Sequence, residues 1–157
     1  MAENEAAQQR FGIQKIYLKD ASLEAPLGAA AFAKDWQPKI NVDINTKNSK
    51  VSDDNFEVVL TMTVTATLGE QTALLIEVQQ AGLFLAQGIT GEALSQTLGI
   101  MAPNLLFPYI RETIDSLAIK GGFPTINLQP INFEALYRQA AQQATQQAVN
   151  KMSKEAH

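Results

Sequence analysis

Between Phe56 and Leu68 the chain alternates with strand periodicity: Phe56, Val58, Leu60, Met62, Val64, Ala66 and Leu68 are apolar, and Glu57, Thr61, Thr63, Thr65 and Thr67 fall between them. A period of two puts one set on each side of a strand, so this run commits the chain to a sheet with one face to bury. Valine and threonine also fit a pleated, half-buried surface. Gly69 and Glu70 then read as a two-residue hairpin, and the following strand sets Leu74, Ile76 and Val78 against Leu75, Glu77 and Gln79. Upstream, Lys39–Thr46 alternates Ile40, Val42 and Ile44 with Asn41, Asp43 and Asn45, and a polar turn spans Asn48–Asn55. Phe11–Ala25 reads as the first strand, with Asp20, Ser22 and Glu24 opposite Ala21 and Leu23. Around Tyr17 the apolar Ile16, Tyr17 and Leu18 run together, which predicts a bulge or burial on both faces. The expectation is a four-stranded antiparallel meander with one apolar face, covered by helices.

Helical spacing takes over in the second half. Leu106, Ile110, Ile114 and Leu117 make one stripe, with Arg111, Glu112, Asp115 and Ser116 on the other side. Pro108 suits a first turn, Gly121 and Gly122 suit a left-handed C-cap, and Glu112 and Lys120 suit the helix dipole. A shorter helix is expected over Gly91–Met101, after an apolar link Ala81–Ile89 that carries Leu83 and Phe84. Asn132 is placed to cap a last helix with the stripe Phe133, Leu136, Tyr137, Ala140, Ala141 and Ala144. Pro26–Pro38, with Phe32 and Trp36, reads as a connection. Residues 1–10 read as a disordered tail, 11–144 as one α+β domain, and 145–157 as a polar tail whose outer end frays.

Composition excludes several function classes. A net charge of -4, a pI near 5.0 and the absence of a basic run leave nothing to hold a phosphate backbone. With no cysteine, disulfides, thiolate metal sites and thiol nucleophiles are excluded together. The single histidine is the last residue, His157, a poor place for a catalytic geometry, and no phosphate-binding loop or metal-ligand spacing is present. Neither cofactor nor metal is expected. The N-terminus MAENEAAQQR lacks the basic start and apolar core of a signal peptide, so a cytoplasmic location is expected. At 46% hydrophobic and 18% charged residues, the chain has apolar surface to spare.

Five blocks in order then carry a resemblance: IYLKDASLEAP from Ile16, KDWQP from Lys34, EVQQAGLF from Glu77, NLLFPYIRETI from Asn104 and GGFPTINLQPINFEALY from Gly121. Together they resemble the SecB family of bacterial protein-export chaperones over about positions 11–138. The resemblance implies an ATP-independent holdase that keeps secretory precursors unfolded and passes them to the translocation ATPase SecA. It also implies a homotetramer, a dimer of dimers with helices between two sheets. Asp20, Glu24, Leu75 and Glu77 match the SecA-docking patch of the family, which composition alone reads as a solvated sheet face. Phe32, Trp36, Leu83, Phe84, Tyr109 and Tyr137 are candidates to line a groove for unfolded chains, with core packing the alternative for each. Leu74, Ile76, Val78 and Gln80 share a strand face that in the family affects oligomerisation and client release, or are plain core. Family tails are often acidic, whereas Lys151 and Lys154 stand here among glutamines and alanines. Two other readings stay open: a general or partner-specific holdase without an export role, and a small-ligand enzyme or carrier using the apolar groove.

Overall fold

A computed structural model describes residues 8–156, so the first seven residues of the expected N-terminal tail, and His157, lie outside the described residues. Four long strands form one antiparallel sheet: β1 (Arg10–Glu24), β2 (Lys39–Ser52), β3 (Asn55–Leu68) and β4 (Gln71–Gln87). Their spatial order is β1-β4-β3-β2, so only β2, β3 and β4 form a meander. β1 lies beside β4, at the opposite edge from β2, which makes the sheet a Greek key instead of the expected meander. The Pro26–Pro38 connection must therefore pass the ends of three strand spacings, about 14 Å. It does so beneath the Gly69–Glu70 hairpin, where Lys34 Nζ donates to Gln71 Oε1 at 2.9 Å, and it forms a 3₁₀ helix, Gly28–Ala33, where the sequence predicts a plain connection.

Strand lengths differ from expectation in two places. β2 runs on to Ser52, and only Asp53 and Asp54 remain as the turn, with Asp54 at φ 62°. β4 continues through the supposed link as far as Gln87, because Leu83–Leu85 pair with both β3 and β1, and Ala86 and Gln87 with β1. Two register shifts in β1, at Gln14 and Lys19, account for the disturbed alternation around Tyr17.

On the helical side, α1 (Gly91–Gln96), a π-helical turn (Thr97–Met101) and α2 (Ala102–Lys120) form one continuous run instead of two helices. At the π turn Ala102 N–H reaches back five residues to Thr97 O, which slips the ladder by one just ahead of Pro103. Pro108 lies inside α2, not in its first turn, and is exposed, where water can serve the carbonyl it leaves unbonded. α2 buries Ala102, Leu106, Ile110, Ile114 and Ala118, four residues apart, against Leu60, Met62 and Val64 of β3 and Leu74, Ile76 and Val78 of β4. Its end is a Schellman motif: Gly122 N–H bonds Ile119 O at 3.0 Å and Phe123 N–H bonds Ala118 O at 2.9 Å, with Gly122 at φ +86°. The following link folds back along α2, held by Asp115 Oδ1, which accepts from Ile126 N at 2.9 Å and Asn127 N at 3.1 Å.

α3 (Phe133–Glu155) is capped as expected, with Asn132 Oδ1 accepting from Ala135 N at 2.9 Å. Only Phe133 is buried and Tyr137 half-buried; Ala140, Ala141 and Ala144 are exposed, as is every residue from Arg138 to Ala156. The expected buried stripe therefore ends after one turn. Nor does the chain leave the helix near Thr145, because alanine, glutamine, lysine and glutamate all favour helix. Among the described residues no helix is long and apolar enough to cross a membrane.

Two stability measurements test this packing. Ile110→Ala should cost about 2–5 kcal/mol in urea unfolding, the usual penalty for a fully buried aliphatic side chain. Gly122→Ala should cost about 1–2 kcal/mol, since an L residue resists positive φ and its Cβ would stand 3.0 Å from the Phe32 ring.

Candidate functional site

Strand pairing assembles the outer face, away from α2, in rows. Asp43, Thr63, Glu77 and Ser22 form one row across the sheet, Asn41, Thr65, Leu75 and Glu24 the next, and Asn45, Thr61, Gln79 and Asp20 the one on the other side. Asp20, Glu24, Leu75 and Glu77 are thus brought together: Glu24 pairs directly with Leu75, and Glu77 pairs with Ser22, between Asp20 and Glu24. Thr63 Oγ1 donates to Glu77 Oε2 at 3.1 Å and orients that carboxylate. These rows carry four carboxylates and no lysine or arginine. Asp43 is the member that sequence reasoning missed. Its strand alternation gave the correct side, but only the register through β3 shows that it shares a row with Glu77.

Farther along the same face, Tyr17 donates its hydroxyl to Glu57 Oε2, and Lys19 Nζ sits 2.8 Å from Glu57 Oε1. Burial, then the hydrogen bond to Glu57, pushes the Tyr17 phenol up to about 12. The hydrogen bond from Lys19, then that from Tyr17, holds the Glu57 carboxyl below its usual range. At neutral pH the carboxylate is therefore ionised and the phenol keeps the proton it donates.

Aromatic side chains gather at two places on the helical side. Phe32, 58% exposed, and half-buried Trp36 stand 5.3 and 5.1 Å from the Phe123 ring. Both candidates thus pack on one phenylalanine that sequence reasoning does not single out and that the GGF end of α2 positions. The second place is a cleft of about 760 Å³ between β2, the α1–π turn and α3, lined by Ile44, Phe56, Leu94, Leu98, Leu136 and Tyr137. Gly99 makes it possible: a Cβ there would fall 2.7 Å from the Tyr137 ring. Tyr137 Oη donates to Glu92 Oε1 at 3.0 Å. Phe123 bonds to the chain at Ala118, near the end of α2, whereas the cleft lies beside Leu94 and Leu98 before its start, so the two places stand at opposite ends of the helical run.

Not every candidate joins them. Phe84 is fully buried and stacks on Phe11 at 5.5 Å, which makes it core in this chain and corrects its assignment to a groove. Leu83 pairs with Glu57 and so belongs to the outer face of the sheet, away from the aromatics. Tyr109 is exposed on the flank of α2. The six candidates thus do not form one lining within a single chain. Leu74, Ile76 and Val78 are fully buried beneath α2, and Gln80, only 4% exposed, donates Nε2–H to Tyr17 O at 3.1 Å.

Comparison with known proteins agrees with this architecture. A family model described as preprotein translocase subunit SecB matches residues 4–144. A protein-export protein SecB of Hahella chejuensis (strain KCTC 2396) is 54% identical over 151 residues, 92% of this chain and 95% of that one. Another SecB, of Marinobacter nauticus (strain ATCC 700491 / DSM 11845 / VT8), is 44% identical over 162 residues, 99% of this chain and 98% of its own. Among solved structures, a SecB-like chaperone of Mycobacterium tuberculosis in complex with an antitoxin peptide shares the fold, with a TM-score of 0.63 at 17% identity over 78% of this chain and 91% of that one. A four-stranded sheet with helices on one face, matched over nearly its whole length by these relatives, places this chain in the SecB family.

Proposed function

We propose that this protein is a cytoplasmic, ATP-independent export chaperone that holds precursor chains unfolded and delivers them to SecA. The observation that carries the reading is the separation of two unlike surfaces by one sheet. An acidic face that includes Leu75, beside Glu24 and Glu77, lies on one side, and two aromatic sites lie on the other. Client and partner then never compete for the same side chains. Apolar contacts suit a holdase because they do not depend on client sequence. Two weak, separated sites suit an extended segment, whose second contact forms at raised effective concentration.

Assembly into a homotetramer is part of the same proposal. On the helical side Ile13, Leu18, Met101, Leu105 and Tyr109 are all exposed large apolar residues, the kind of surface that a partner covers. Ile13 and Leu18 lie on edge strand β1, and Met101, Leu105 and Tyr109 repeat every four residues along the helical run. Packing of further copies would cover this surface while leaving the outer, acidic faces outward.

Changing Asp20, Glu24 and Glu77 to lysine should weaken SecA binding at least about tenfold while capture of an unfolded precursor persists, because opposed charges set encounter and register. Undiminished SecA binding would remove the docking assignment. Without nucleotide, a slow-folding secretory precursor should be captured unfolded and ignored once folded. Capture of neither form by the folded chaperone would overturn the holdase reading.

A further inference from the structure

We infer that Tyr17, Lys19, Glu57 and Gln80 form a clamp that fixes the side-chain phase of β1, and that they are positioning residues for the acidic face. Against β4, β1 carries one extra residue between the pairs Ile13–Phe84 and Lys15–Leu83, and another between Leu18–Gln80 and Asp20–Gln79. Each extra residue inverts the phase of all that follows, because side chains alternate with a period of two. With both slips in place, Phe11, Ile13, Ile16, Leu18, Ala21 and Leu23 pair with residues on the helical side of β4. Tyr17, Asp20, Ser22 and Glu24 pair with residues on the outer side. Losing the slip at Lys19 would turn Asp20 and Glu24 toward α2 and Ala21 and Leu23 toward solvent. The acidic face therefore exists only while that slip stays where it is.

Four side chains hold it there from both sides of the sheet. Tyr17 pairs with Ala81, whose small side chain leaves the phenol free to pass over β4 and donate to Glu57 on β3. Lys19, the extra residue itself, is tied to the other oxygen of the same carboxylate at 2.8 Å. From the helical side, Gln80 Nε2 takes up the Tyr17 carbonyl at 3.1 Å, a backbone acceptor two residues before the slip. An edge strand is otherwise the part of a sheet most free to change register.

The phase can be read without any partner, because the chain has no cysteine and an introduced one is unique. Ser22→Cys, on the exposed outer side, should react faster with a small thiol reagent than Ala21→Cys, which is half-buried. In the Tyr17→Phe/Glu57→Gln background that ratio should fall by about tenfold, the equivalent of about 1.4 kcal/mol. Tyr17→Phe alone, which keeps the ring and removes only the hydroxyl, should give a smaller fall and serves if the double variant does not fold. An unchanged ratio in a folded variant, even one with a lowered melting temperature, would overturn the clamp. The role toward SecA rests on the docking reading above, which the lysine variants test separately. If those variants lose binding while a clamp variant with a collapsed ratio binds SecA undiminished, the positioning role is wrong; loss of binding in both supports it.

Discussion

Everything on either side of this molecule depends on the register of β4 between its neighbours. Leu74, Ile76 and Val78 reach α2 only because Leu75 and Glu77 point the other way. β4 is paired along its length on both sides, so a slip of one residue would expose the core and bury the acids together. The apolar alternation of β3 and the four-residue repeat on α2 make that slip costly, since each fully buried aliphatic side chain contributes about 1.5–3 kcal/mol. Stability of the core and presentation of the outer face are in this sense one constraint.

How much of this was legible in sequence follows from which contacts are local. β3 could be read because its period is strict, and the end of α2 because two glycines and a phenylalanine follow Lys120. Strand order could not be read, since β1 finds β4 across more than fifty residues and hydrophobic alternation does not say which neighbour a strand takes. The continuation of β4 through Leu83–Gln87 is hidden in the sequence by the glycine ahead of it and by apolar residues on both faces, half-buried Leu83 and Leu85 on one and buried Phe84 and Ala86 on the other, which removes polar–apolar alternation. α3 misled in the opposite sense: its alanines look like a packing stripe, yet helix propensity and a good cap sustain it with little beneath it.

Of the candidate sites, the acidic face was the most legible because its residues occupy alternate positions of two strands that proved adjacent. The groove was the least. Aromatic residues were gathered from sequence by chemistry alone, and chemistry does not separate Phe84, stacked inside the core, from Phe32, exposed beside Phe123. Their difference lies in the crossing of the Pro26–Pro38 connection, which is a consequence of strand order. Once that order is known, Phe32 and Trp36 must lie near the end of α2, and Phe123 becomes their natural partner.

On the function proposed above, the two surfaces would also differ in how they bind, and the difference suits a relay. Charges on the outer face are exposed, so salt screens them and each adds little standing affinity; what they give is fast, oriented encounter. Half-buried Leu75, beside Glu24 and Glu77, would provide an apolar contact that screening cannot remove. The aromatic sites on the helical side would act through desolvation, which is insensitive to salt and suits any apolar segment. A holder of this kind must release its load, and weak, separated contacts release stepwise. An encounter on one face and a hold on the other can be tuned independently only while the sheet between them keeps its register.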